Sequence, residues 1–170
     1  MKGKGFSLIE LLIVLAIILI IAAIAVPNLL KSKMAANEAS VAASTRVVGT
    51  ANATYASTYN IGFAGTLAQL GPTSAACATR SSACADIIDS ALAVVAPVKS
   101  GYTFTYSAPN ATPTIPAPNT TYSLAATPVS SSSGKSTFCL DQSNVVKKDP
   151  TGAAVAGATT GCGAFAGTPM

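Results

Sequence analysis

The 170-residue chain predicts an α+β fold: a long N-terminal helix, half membrane-like and half amphipathic, packed on a small antiparallel β-sheet. Three observations carry that reading. From Phe6 to Val26 only Ser7 and Glu10 are polar, and a helix of that length reaches about 32 Å, enough to cross a bilayer core. Beyond it Leu30, Met34, Val41, Val48 and Tyr55 recur at spacings of four or seven, which puts them on one helix face. Further on, Tyr102, Phe104 and Tyr106 alternate with Thr103 and Thr105, the period-two pattern of a strand.

The helix comes first. Lys2 and Lys4 precede the apolar run, so the start has the charged head and apolar body of a secretory signal. Glu10 departs from that pattern. A carboxylate inside an apolar span costs about 3 kcal/mol on insertion scales and calls for a cationic partner. A cut between Gly5 and Phe6 would create one, because the new α-amino group would lie one helical turn from Glu10 of its own chain and could equally meet the Glu10 of a neighbour. The pattern gives a single helix from about Phe6 to about Thr58, roughly 80 Å long. Lys31, Lys33 and Glu38 flank its apolar stripe, and Arg46 points away from it. Pro27 lacks an amide hydrogen and is expected to bend or open the helix over Ala23 to Val26. Gly49 and Asn52-Ala53-Thr54 lower helix propensity and predict fraying or an early end. Asn60-Ile61-Gly62 is the stronger stop.

The connecting region follows. Phe63, Leu67 and Leu70 before Gly71-Pro72 predict a helical turn or two. Asp86 to Val95, with Ile87, Ile88, Leu92 and Val95, predicts a short helix. Strands are expected at Tyr102 to Tyr106, Thr121 to Thr127, Ser136 to Leu140 and Asn144 to Lys148, with Asp141-Gln142-Ser143 as a hairpin turn between the last two. Ala108 to Thr120 holds Pro109, Pro113, Pro116 and Pro118, so it reads as an exposed loop. The Gly/Ala/Thr-rich tail from Asp149 onward reads as irregular, with Cys162 as its tether.

Composition narrows the function classes. Charged residues are 9% of the chain and the formal net charge is +4; losing Lys2 and Lys4 would leave +2 on side chains. Nothing there requires nucleic acid. The four cysteines, Cys77, Cys84, Cys139 and Cys162, all follow the apolar run, which suggests disulfides in an exported head. Of the three connectivities, Cys77 with Cys84 and Cys139 with Cys162 are favoured because each closes a modest loop of turn-forming residues. With no histidine and no CxxC spacing, neither a zinc site nor a redox motif is supported, and no catalytic residue, cofactor or metal is expected. The chain does not read as an enzyme, because the usual base for an activated serine is missing. Asp86 and Asp89 read as solvated surface. Lys135 and Lys147-Lys148 read as a solvated strand edge rather than a DNA-binding patch. Asn52, Asn110 and Asn119 begin N-glycosylation patterns.

Lys4-Gly5-Phe6-Ser7-Leu8-Ile9-Glu10-Leu11-Leu12 resembles the class III signal of type IV prepilins and the related pseudopilins of type II secretion. That resemblance implies a prepilin peptidase that cuts after Gly5 and methylates the Phe6 amine, with Glu10 as the assembly carboxylate. Pro27 sits where many such pilins have a helix-disrupting proline, and the longer disulfide is similar to the C-terminal loop many of them expose. The implied divisions are a leader at 1–5, a hydrophobic transmembrane and assembly helix at 6–27 and an extracytoplasmic pilin-like head at 28–170. The implied function is structural: a type IV pilus subunit serving adhesion, motility or DNA uptake. Its implied partners are copies of itself in a homo-oligomeric helical filament, the peptidase, the inner-membrane assembly machinery and, before assembly, the membrane; nucleic acid enters only as DNA-uptake cargo. The precursor would be a single-pass inner-membrane protein, later an extracellular pilus or a periplasmic pseudopilus. Two rival readings are a type II secretion pseudopilin and a secreted binding protein released by ordinary signal cleavage after Ala25, since Ala23-Ile24-Ala25 has the small-x-small pattern.

Overall fold

The structure, a computed structural model, describes residues 7–73, 77–152, 162, 165 and 167–170. Helix α1 runs from Leu8 to Tyr59 through Pro27, about 78 Å at 1.5 Å per residue. The residues expected to weaken its second half are accommodated inside it. The hydroxyls of Thr45, Thr50, Thr54 and Thr58 each donate to the carbonyl four residues back, and the Asn52 amide donates to the Val48 carbonyl. Those four hydroxyls are then spent within the helix rather than competing with it. Gly49 is buried, and a Cβ there would meet the Asn144 and Leu140 side chains, so its small size lets the helix approach the sheet. The helix ends on Asn60, whose φ of 54° is left-handed and whose N–H donates to the Ala56 carbonyl.

Helix α2 is the single turn Leu67–Leu70, which buries both leucines. At its start the Gln69 side chain accepts the N–H groups of Gly65 and Thr66. The short helix expected over Asp86 to Val95 is absent; the segment forms turns and bends. Its amides are committed elsewhere: those of Ala85, Ile87 and Ile88 donate to the carbonyls of Gln69 and Leu70, and that of Asp86 to Gly71. Asp86 has a φ of 55°, and the Asp89 carboxylate accepts the Leu92 N–H. Ile88 and Leu92 are still buried, so the apolar spacing reflects anchoring rather than helix.

The sheet has six antiparallel strands in chain order: β1 Val98–Lys99, β2 Tyr102–Ser107, β3 Ser123–Pro128, β4 Thr137–Asp141, β5 Lys147–Asp149 and β6 Thr168–Pro169. β5 begins later than the sequence predicts because Asn144, at a φ of 57°, donates its N–H to the Asp141 carbonyl and extends the turn. Register aligns Phe104, Ala126 and Phe138 across three strands, with Leu124 facing Leu140. This inner face meets Val41, Val48 and Tyr55 of α1, all fully buried, in one core. Tyr102 packs edge-on to Phe138 at 5.9 Å.

The other face is covered over β4. Ala125, Cys139 and Lys147 align there, and the Cys139–Cys162 disulfide brings Cys162 down onto it. The Cys162 N–H donates to Asp141 and its carbonyl accepts the Lys147 ammonium. This is why every residue of β4 is buried. The second disulfide joins Cys77 to Cys84.

Candidate assembly interface

The site with chemistry to explain is the first half of α1. Leu8, Leu11, Ile20 and Leu29 are 75%, 65%, 65% and 71% exposed, and the apolar residues between them are similar. An 18-residue window there has a mean hydropathy of 3.3 with none of it buried, so α1 is long and apolar enough to cross a membrane. A helix apolar on all sides has no solvent-facing surface to offer water. Burying it is worth on the order of tens of kcal/mol, at about 1.5–3 kcal/mol per large side chain, so lipid or protein must surround it.

At its start, Ser7 is the N-cap and Glu10 the N3 residue of a capping box, with the Ser7 N–H donating to the Glu10 carboxylate at 3.4 Å. A carboxylate in the first turn also favours the positive end of the helix dipole. Gly5 and Phe6, the expected processing pair, lie outside the described residues. At Pro27 the helix stays continuous, while the missing amide removes the usual donor to the Ala23 carbonyl. Leu30, expected on the packed stripe, remains 45% exposed because the sheet does not reach that far down.

Hydrogen bonding to the head begins two turns later. The Asn37 amide donates to the Ser133 carbonyl at 2.9 Å, and Ser40 and Ser100 share a hydrogen bond at 2.8 Å. Glu38 is the strongest tie. It accepts the N–H groups of Lys135 and Ser136 at 3.2 Å each and pairs with Lys148 at 2.9 Å. Burial alone would raise its pKa, but the Lys148 ammonium and the backbone donors outweigh that and hold the carboxyl below its ordinary value. The Lys148 ammonium also sits 5.9 Å from the centre of the Phe138 ring.

Lys147 and Lys148 are therefore not a solvated strand edge: β5 is paired on both sides, and both lysines are engaged inside the head. Asp86 and Asp89 are exposed but paired, with Arg80 and Lys99 at 2.9 and 3.0 Å. Two asparagines in glycosylation patterns are structural. Asn52 is fully buried, its carbonyl accepting the Ala64 N–H and the Tyr106 hydroxyl. Asn119 is fully buried and holds the proline-rich loop to the end of α1 through Phe63 and Asn110. Asn110 stays exposed. Among the described residues no group of three or more metal-ligating side chains converges.

Residues 1–26 match the family described as the prokaryotic N-terminal methylation motif. Over 42 residues the chain is 60% identical to the type IV wide pilus major component PilA4 of Thermus thermophilus, a stretch covering 25% of this chain and 32% of that protein. The chain thus spans about a third of the length of the curated relative it matches. No solved structure matches. Both likenesses cover only part of the chain, the family match its N-terminal residues, and agree with the type IV pilin resemblance read from Lys4 to Leu12.

Proposed function

We propose that this chain is the structural subunit of a type IV pilus, held in the inner membrane by the first half of α1 and then built into a helical filament through the same surface. The observation that carries the reading is an exposed half-helix, apolar but for Glu10, continuous with a folded head and headed by an N-terminal methylation motif. A prepilin peptidase cuts between Gly5 and Phe6 and methylates the new amine. Extraction exchanges burial in lipid for burial among equivalent helices. Glu10 then leaves its own N-cap to face a neighbour's amine, and an unpaired carboxylate in that core disfavours wrong axial registers. Pro27 divides the assembly segment from the head-bearing half and is the point where α1 adapts to its neighbours.

The test is mass spectrometry of the mature amino terminus from surface-sheared material and from membranes, with Glu10→Ala beside the parent. The expected result is a chain starting at methylated Phe6, with the variant inserted in membranes and its filaments lost or sharply reduced. A chain starting at Val26 would overturn the filament reading, and normal filaments from Glu10→Ala would overturn the register role. Recovery of the filament only from the periplasm would point to a type II secretion pseudopilus.

A further inference from the structure

We propose that Lys31 and Lys33 of α1, together with Lys135 of the head, form a basic rim that docks the head onto the phosphate headgroups of anionic glycerophospholipid while the precursor is in the membrane. The inference rests on the membrane stage proposed above and adds a lipid-binding surface to it. Height along α1 is the first support. Lys31 lies five residues beyond Val26, about 7–8 Å higher, which is the headgroup layer if the apolar run fills the hydrocarbon core. The lowest hydrogen bonds to the head, at Asn37 and Glu38, lie about 17 Å above Val26 and so about 9 Å above Lys31.

The second support is a juxtaposition across about a hundred residues of chain. Lys31 and Lys135 line one open cleft at the underside of the head with Met34, Ala35, Glu38 and Pro150. Lys33 is turned about 200° from Lys31 at ~100° per residue, so the cations surround the helix rather than crowd one side. All three are exposed, and among the described residues none pairs with a carboxylate.

The third support is how the carboxylate in that cleft is occupied. Glu38 is charge-paired with Lys148 and held by two backbone N–H groups, so that pair adds no net negative charge to the rim. The positive field therefore faces the leaflet, where each lysine near an anionic surface shifts the docked-to-undocked ratio by about fivefold.

The chain has no tryptophan, so Ser132→Trp in the exposed β3–β4 loop is a clean reporter. The full chain carrying it is reconstituted into vesicles of phosphatidylcholine alone, or with phosphatidylglycerol, each containing a dansyl-headgroup lipid. Energy transfer should rise with phosphatidylglycerol, fall in high salt, and stay at the zwitterionic level in Lys31→Gln/Lys33→Gln/Lys135→Gln. That variant should keep the parent's denaturation midpoint, because none of its altered side chains has a hydrogen-bond or ion-pair partner among the described residues. Equal transfer in both vesicles, or parental transfer from the triple variant, in chains that resist alkaline extraction would overturn the docking surface alone. Release of the parent chain by alkali from both vesicles would overturn the membrane stage and the docking surface with it.

Discussion

Replacing Glu38 with glutamine should destabilise the head by about 1 kcal/mol at neutral pH, and replacing it with alanine by about 2–4 kcal/mol. The glutamine oxygen can still accept the Lys135 and Ser136 N–H groups, so only the charge facing Lys148 is lost. Exposed pairs contribute about 0.2–1 kcal/mol and hydrogen bonds to charged groups about 1.5–3; this pair, with 16% and 32% of its two side chains exposed, falls between them. Alanine also orphans the N–H of Ser136, a buried residue, at about 1–3 kcal/mol. Because the folded-state pKa of Glu38 is depressed, the ion-pair contribution is complete above the unfolded carboxylate pKa. It disappears as pH falls through the lower folded value. The assay is urea denaturation of the detergent-solubilised chain, followed by circular dichroism at neutral pH and in acid, for parent, Glu38→Gln, Lys148→Met and the double variant. A parent-to-Glu38→Gln gap that persists in acid, or a double-mutant cycle with no coupling at neutral pH, would refute the latch.

Asn52→Ala should cost about 2–4 kcal/mol, from the orphaned Ala64 N–H and the vacated space; a denaturation midpoint equal to the parent's would show that the Asn52 bonds are dispensable. Cys139→Ser/Cys162→Ser should lose about 3 kcal/mol, since the bridge closes a sequence separation of 23 and constrains the unfolded chain accordingly, and it should lose more than Cys77→Ser/Cys84→Ser. Hydrogen exchange at Lys147 and Lys148 should accelerate in the former variant and not in the latter. Gly62→Ala should cost about 1–3 kcal/mol, because Gly62 has a φ of +76° and an added Cβ would clash with the Asn119 backbone. Thermal melting that leaves it at the parental midpoint would contradict that close approach.

The long-range architecture was legible where one periodicity ran far enough to dominate. Stripe residues Val41, Val48 and Tyr55 were recoverable because α1 is long and one face is apolar, and β2 because Tyr102, Phe104 and Tyr106 alternate with threonine. β1 and β6 are two residues each, too short to carry a period, and exist through pairing alone. The apolar residues from Ile87 to Val95 imitate a helix because anchoring Ile88 and Leu92 needs similar spacing, while the hydrogen bonds that choose turns come from Gln69, Leu70 and Gly71. In the candidate site, Glu10 stood out as a carboxylate in an apolar run. Glu38 did not, since its partners Ser136 and Lys148 are about a hundred residues away. Asn119 carried only a modification pattern and Asn52 that pattern and a low helix propensity, neither of which says anything about burial.

Sheet order and chain order coincide from β1 to β6, so each strand after the first finds its partner already present when it is made or exported. No strand needs a later one to be held open for it. The exception is the last stretch: Cys162 must return to Cys139 over a face that Lys147 and Asp141 have already defined. Completion of the head is thus timed to the arrival of Cys162, while α1, made first, offers its packing face throughout.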